Sequence, residues 1–139
     1  MVIDQHGVVA VIVRDGRFLV IRRSPHVVAP GALCFPGGGI EKGETEQAAL
    51  IRELDEELDI AIHPVGRIWE SVTPWRVRIS WWRARLPLSS EPRPNDLEVA
   101  AVYWMAIDEL YEHQDLLSSN AEFLQAIRSG QIVLDELAQ

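Results

Sequence analysis

The 139-residue sequence has a single cysteine, Cys34, so no disulfide can form within the chain and a disulfide-stapled scaffold is excluded. That usage suits a reducing cytoplasm. Nothing beside Cys34 resembles an activating base, and it reads as a small packed residue at a strand end. Basic residues are scarce too: 13 Lys and Arg against 21 Asp and Glu leave a net charge of −8. Duplex nucleic acid and anionic lipid both need a basic surface, so neither is an expected partner. A small phosphorylated ligand stays open, because a divalent cation reverses the field locally. No stretch approaches the roughly 20 apolar residues of a membrane span, and the chain opens without a basic segment before a long apolar run. No membrane partner and no signal peptide are expected.

What is present reads as one globular domain over residues 1–139, with 47% hydrophobic and 24% charged residues. Two β-branched runs, residues 8–13 and 18–23, flank Asp15-Gly16, a strong hairpin signal. Residues 24–39 are rich in Pro and Gly and read as a long loop with a short strand at 33–35. The clearest helix covers residues 45–58, with Thr45 as its cap and acidic Glu44 and Glu46 at the positive end of its dipole. Strands are expected at 61–70, 76–86 and 99–105, and 87–94 reads as a surface loop. Short helices are expected at 107–111 and 121–129, the second capped by Ser119 or Asn120. Strands interleaved with helices predict an α/β layered domain around a mixed sheet.

The chemistry concentrates between Gly37 and Glu57. Leu50, Ile51, Leu54 and Leu58 form an apolar stripe at helical spacing, and Glu53, Glu56 and Glu57 are expected on roughly the opposite face. Two readings fit those glutamates. One is a solvated acidic face; the other is a site for Mg²⁺ or Mn²⁺, which prefer carboxylate oxygens. Ahead of them, Gly37-Gly38-Gly39 permits positive φ and close backbone approach, as a tight turn or an ion- or phosphate-binding loop requires. No Gly-Lys-Ser/Thr comes after it, which excludes a P-loop.

Gly38-x5-Glu44-x7-Arg52-Glu53-Leu54-x-Glu56-Glu57-x-Asp59-Ile60 resembles the Nudix box, Gly-x5-Glu-x7-Arg-Glu-U-x-Glu-Glu-x-Gly-U with U aliphatic. Eight of the fixed or restricted positions match over 23 residues. Asp59 stands where the pattern has Gly, at a helix end that favours the left-handed region; Asp enters that region at modest cost. The resemblance implies a Nudix-type α/β/α sandwich and Mg²⁺- or Mn²⁺-dependent hydrolysis of a nucleoside diphosphate-linked substrate. It implies Glu56 and Glu57 as principal metal ligands, Glu53 as ligand or general base, and the Gly37 carbonyl as a backbone ligand. Arg52 would orient a catalytic glutamate, and Glu44 would act from behind the ligands. Glu98, just before the strand at 99–105, matches a glutamate that related enzymes use as metal ligand or base.

Outside the box the chain is similar to the MutT branch, whose members convert (8-oxo-)dGTP to the monophosphate and pyrophosphate. That similarity implies substrate contacts at Arg23, Phe35, Gly38, Arg78 and Asn120. Each has a plainer reading: Asn120 as helix cap, Phe35 as core, Arg78 as an exposed strand residue. Trp75, Trp81 and Trp82 could stack on a base or simply fill the core. His26, His63 and His113 lack metal-ligand spacing. A Nudix hydrolase of ADP-ribose, a dinucleoside polyphosphate or a nucleotide sugar is the second reading. A non-catalytic ligand sensor is the third, and the intact glutamates speak against it. The residues do not choose between monomer and homodimer, or between Mg²⁺ and Mn²⁺.

Overall fold

Asp15 and Gly16 take φ values of 53° and 73° in the computed structural model, which describes residues 5–135. Two successive positive φ angles make the tight turn that matches strand twist. The hairpin it closes is shorter than the sequence predicts. Only β2 (Val13–Arg14) pairs with the start of β3 (Arg17–Arg23), because the chain changes sheets at Ile12. The preceding strand, β1 (Gln5–Val11), pairs instead in parallel with β7 (Val77–Arg85), from Gln5 opposite Val77 to Val11 opposite Arg83.

Two short strands come next, β4 (Leu33–Cys34) and β5 (Gly37–Gly39); the second is a glycine segment that the sequence pattern assigns to a loop. After helix α1 (Glu46–Leu58) come β6 (His63–Val72), β7 and β8 (Val99–Ala106), then α2 (Ile107–Tyr111) and α3 (Ser118–Arg128). One sheet has the order β5-β1-β7-β6, antiparallel except for β1 with β7. In the other, β3 pairs with β8 along its length and with β2 and β4. The mixed α/β expectation therefore holds, with the strands divided between two hydrogen-bonded sheets.

The central strands are apolar on both faces, as burial on both sides demands. Val8, Ala10 and Ile12 pack with Leu19, Ile21 and the leucines of α1. The alternate residues Val11, Phe18 and Val20 pack with Trp81, Leu110 and Phe123 on the side of α2 and α3. Trp81 stacks on Phe123 at 4.3 Å between ring centres. Helices thus lie on both sides of the strands.

Helix α1 starts as expected, with the Thr45 hydroxyl accepting from the Ala48 N–H. Its buried arc differs. Leu50, Leu54 and Leu58 are fully buried, but Ile51 is 43% exposed and Glu57 only 6%. Glu57 lies seven residues after Leu50, only about 20° away around the helix, so it shares the buried face rather than opposing it. Asp59 ends α1 in the left-handed region, φ 54° and ψ 44°, donating its N–H to the Asp55 carbonyl. Helix α3 begins three residues earlier than expected, which moves Asn120 from cap to interior. No helix among the described residues is long and apolar enough to cross a membrane.

Candidate active site

Strand β5 is wedged between β1 and α1, and that position dictates its glycines. A Cβ on Gly37 would fall 2.1 Å from the Val8 carbonyl oxygen, and one on Gly38 would fall 2.3 Å from the Glu53 carboxyl carbon. Close approach is the reason for Gly here. Positive φ is not: Gly37, Gly38 and Gly39 all lie outside that region.

Arg52 organises the carboxylates. Its Nε and Nη2 donate to the two oxygens of Glu44 at 2.8 Å each, a bidentate pair. Nη1 donates to Glu53 at 3.0 Å and to Glu56 at 3.3 Å, and Nη2 also donates to the Gly39 carbonyl at 2.9 Å. Glu44 additionally accepts the Glu41 N–H at 2.9 Å. The Arg52 guanidinium, with that N–H, pulls the Glu44 carboxyl down to about 2. Glu44 is thus a charged anchor for Arg52.

Glu53 and Glu57 have the opposite environment. Burial raises the Glu53 carboxyl, with Arg52 opposing and Glu56 and Glu98 adding like charge. Burial pushes Glu57 up to about 8, helped by the charges of Glu53 and Glu98. The Gly37 N–H, donated to Glu57 Oε1 at 3.0 Å, and the charge of Arg23 only partly offset this. A buried carboxylate surrounded by like charges is expensive without a cation. Among the described residues no three His, Cys, Asp or Glu side chains converge tightly enough to enclose one ion. The partners explain why: Arg52 draws in Glu53 and Glu56, while Glu57 turns to Gly37.

A cavity of about 620 Å³ opens beside this cluster and shares Gly37, Gly38 and Gly39 with it. Its walls include β1 residues from Gln5 to Val9, with Arg23, Cys34, Phe35, Val77, Ile79, Ser119 and Asn120. Arg23 lies between the two regions: it donates to the Val28 carbonyl at 2.6 Å and acts on Cys34 and Glu57 by charge. Cys34 is buried at the end of β4, and burial pushes its thiol up to about 11, which suits packing rather than nucleophilic attack. Asn120 is buried; its Oδ1 accepts the Phe35 N–H at 2.8 Å and its Nδ2 donates to the Ser119 hydroxyl at 3.2 Å. Leu117 precedes α3 without a side-chain cap, so the cap reading of Asn120 is corrected.

The remaining substrate candidates divide. Phe35 borders the cavity, but its ring belongs to the aromatic core, 5.2 Å from Phe18 and 5.4 Å from Phe123 between centres. Arg78 is not brought to the cavity. On β7 its neighbours Val77 and Ile79 line the wall, and alternation turns Arg78 to the other face, where it meets His6 and Glu70. Trp82 donates to Glu46 at 2.8 Å and Trp81 is core, while Trp75 stands 73% exposed in the β6–β7 turn. Two features escape a reading of the sequence: the β1 wall of the cavity, and Asn95, whose N–H and side-chain Nδ2 reach the Glu57 and Glu56 carbonyls. Neither has a local pattern that would announce it.

The NUDIX domain family profile matches residues 4–127. A Mycobacterium tuberculosis protein, provisionally named 8-oxo-dGTP diphosphatase 2, is 35% identical over 114 residues, 79% of each chain. The CTP pyrophosphohydrolase of Escherichia coli is 43% identical over 53 residues, 38% of this chain and 39% of that one. Among solved structures, a MutT NUDIX hydrolase from Burkholderia pseudomallei superposes with a TM-score of 0.67 and 28% identity, covering 87% of this chain and 95% of that one.

Proposed function

The chain belongs to the Nudix family and is a pyrophosphohydrolase of that family, and from this premise we propose that it splits a nucleoside triphosphate, (8-oxo-)dGTP above all, into the monophosphate and pyrophosphate. One observation carries the reading: the glutamate cluster and the cavity meet at Gly37 and Gly38. A nucleoside in the cavity would extend its phosphates along that glycine strand onto the carboxylates.

The donor set fits a divalent cation. Glu53, Glu56, Glu57 and Glu98 offer hard oxygen ligands, together with the Gly37 backbone, and like charge already presses on Glu53 and Glu57. A bound Mg²⁺ or Mn²⁺ would neutralise phosphate oxygens and lower the pKa of a water molecule. Arg52 holds Glu53 in place and is itself held by Glu44, so Glu53 is a preorganised acceptor for the proton of attacking water. Glu98 is the alternative acceptor. Arg23, near Glu57 and on the cavity wall, suits a phosphate oxygen, and Asn120 and Gly38 flank the space for the base.

The test is a product-resolved screen of nucleotides with Mg²⁺ and Mn²⁺. Release of pyrophosphate and dGMP from dGTP or 8-oxo-dGTP is the expected result. Preferential formation of AMP and ribose 5-phosphate from ADP-ribose would replace the triphosphate reading, as would selective cleavage of a dinucleoside polyphosphate or nucleotide sugar.

A further inference from the structure

The end of α1 that carries Glu56 and Glu57 is closed by a segment from far along the chain. The last carbonyls of a helix have no partner within it and need donors from outside. Here the Arg93 N–H donates to the Leu58 carbonyl at 2.7 Å, and the Asn95 N–H to the Glu57 carbonyl at 2.9 Å. The Asn95 side-chain Nδ2 donates to the Glu56 carbonyl at 3.2 Å. Pro92 and Pro94 flank Arg93 and restrict the backbone that delivers these donors.

The same asparagine fixes the turn that leads into β8. Its Oδ1 accepts the Leu97 N–H at 3.2 Å, and its carbonyl accepts the N–H groups of Glu98 at 2.9 Å and Val99 at 2.8 Å. Both amide atoms are thereby assigned, since turning the amide over would set Oδ1 against a carbonyl and Nδ2 against an N–H. On the far side, Ser24 donates its N–H to the Glu98 carbonyl at 3.0 Å and its hydroxyl to the Leu97 carbonyl at 2.7 Å. Ser24 is fully buried and comes directly after Arg23 on the cavity wall. Residues 93–98 therefore link the end of α1, Glu98 and the wall of the cavity.

We propose that Asn95 is a positioning residue that sets Glu98 in register with Glu56 and Glu57 by hydrogen-bonding the end of α1 and the Glu98 turn at once. The role rests on the reading of Glu98 as part of the reacting machinery. Asn95 itself touches no substrate. Removing its side chain should loosen the placement of Glu98 while leaving the cavity and the leucine face of α1 intact.

A double-mutant cycle joins Asn95→Ala with Glu98→Gln, assayed in parallel on dGTP and on ADP-ribose with Mg²⁺. Asn95→Ala should lower kcat about ten- to a hundredfold, the usual loss when an orienting partner is removed, with KM within about twofold. In the Glu98→Gln background the same change should cost less than about twofold more, because its target is already gone. Asn95→Asp keeps the shape and the Leu97 acceptor but removes the donor to Glu56, so it tests the link even if the alanine variant folds poorly. Amide hydrogen exchange gives a readout without turnover: the Glu98 and Val99 N–H groups should exchange faster in Asn95→Ala, and those of Leu50 and Leu54 should not. Full multiplication of the two losses, unchanged kcat in Asn95→Asp, or unchanged exchange at Glu98 would overturn the proposal, as would an inert Glu98→Gln. Failure to cleave triphosphates, with the cycle intact on another diphosphate, would instead overturn only the triphosphate reading.

Discussion

The carboxylate cluster and the cavity share the wall formed by Gly37 and Gly38, yet they are assembled in opposite ways. The cluster is charged and locally encoded, with Glu44, Arg52, Glu53, Glu56 and Glu57 spanning a short stretch of chain; one guanidinium holds Glu44, Glu53 and Glu56, and Glu57 accepts the Gly37 N–H. The cavity draws on β1, β7, the end of β3 and the start of α3, from Gln5 to Asn120, and among the described residues its charged wall residue near the cluster is Arg23. Charge organises the first region; register organises the second. Loss of one group in the cluster should therefore disable chemistry, whereas loss of one group in the wall should weaken binding.

The strongest test of that contrast is Glu57→Gln. The amide keeps the volume and can still accept the Gly37 N–H, so the buried face of α1 survives. Loss of the charge should lower kcat on the order of a thousandfold or more, corresponding to about 4 kcal/mol of lost electrostatic stabilisation. Steady-state rates with Mg²⁺, alongside a thermal melt, check it. Substantial turnover by a folded variant would break the cluster side of the comparison.

The second test uses pH. The Glu57 carboxyl is raised from an ordinary value of 4.5 to about 8 in the folded chain. Between those values the folded state holds a proton that the unfolded state has released, so stability falls as pH rises through the window and levels off above it. Across the whole window the change is on the order of 5 kcal/mol, at roughly 1.4 kcal/mol per pKa unit. Denaturant unfolding of protein in chelator, from pH 5 to pH 8, should show that decline, and Glu57→Gln should remove it. A divalent cation should restore stability at the alkaline end by binding the folded state alone. A pH-independent wild type would show that the cluster is not under charge pressure.

The third test addresses the wall. Arg23→Ala should raise KM about tenfold, the loss of one charge-assisted contact, with a smaller change in kcat. Arg78→Ala should leave KM within about twofold, because Arg78 is turned toward His6 and Glu70. A reversal of these two results would place the substrate on the other face of the sheet.

These positions also show what local spacing can and cannot encode. The helix, Thr45 as its cap, the left-handed Asp59 and the grouping of Glu53 with Glu56 all derive from short-range geometry and are legible in the order of residues. Glu57 is misplaced when the leucines alone are read as the buried face, because its position one heptad after Leu50 puts it on that same face. The glycines are legible as necessary, but their reason is not: the Val8 carbonyl and the Glu53 side chain that forbid a Cβ come from elsewhere in the fold. Arg78 and Asn120 depend on strand alternation and on a helix start that no local signal marks, since Leu117 supplies no side-chain cap. Asn95 carries no signal at all. Its importance exists only because the 93–98 segment meets the end of α1.

That meeting bears on the smallest effect, at Asp59. A residue with a Cβ is strained at φ 54°, and glycine there should relieve about 0.5–1 kcal/mol in the folded state, reduced by the extra freedom glycine gives the unfolded chain. The helix end does not depend on that residue alone. Asp59 donates to Asp55, and the carbonyls of Glu56, Glu57 and Leu58 are already satisfied by Asn95 and Arg93. Asp59→Gly should therefore raise the denaturation midpoint slightly and leave kcat within about twofold, because the donors that hold Glu56 and Glu57 in place come from outside the turn. A large gain in kcat would mean that Asp59 distorts the glutamates despite those donors. An unchanged kcat with a small gain in stability would locate control of the cluster in the 93–98 segment, the one part of the carboxylate region that, like the cavity wall, is built from distant sequence.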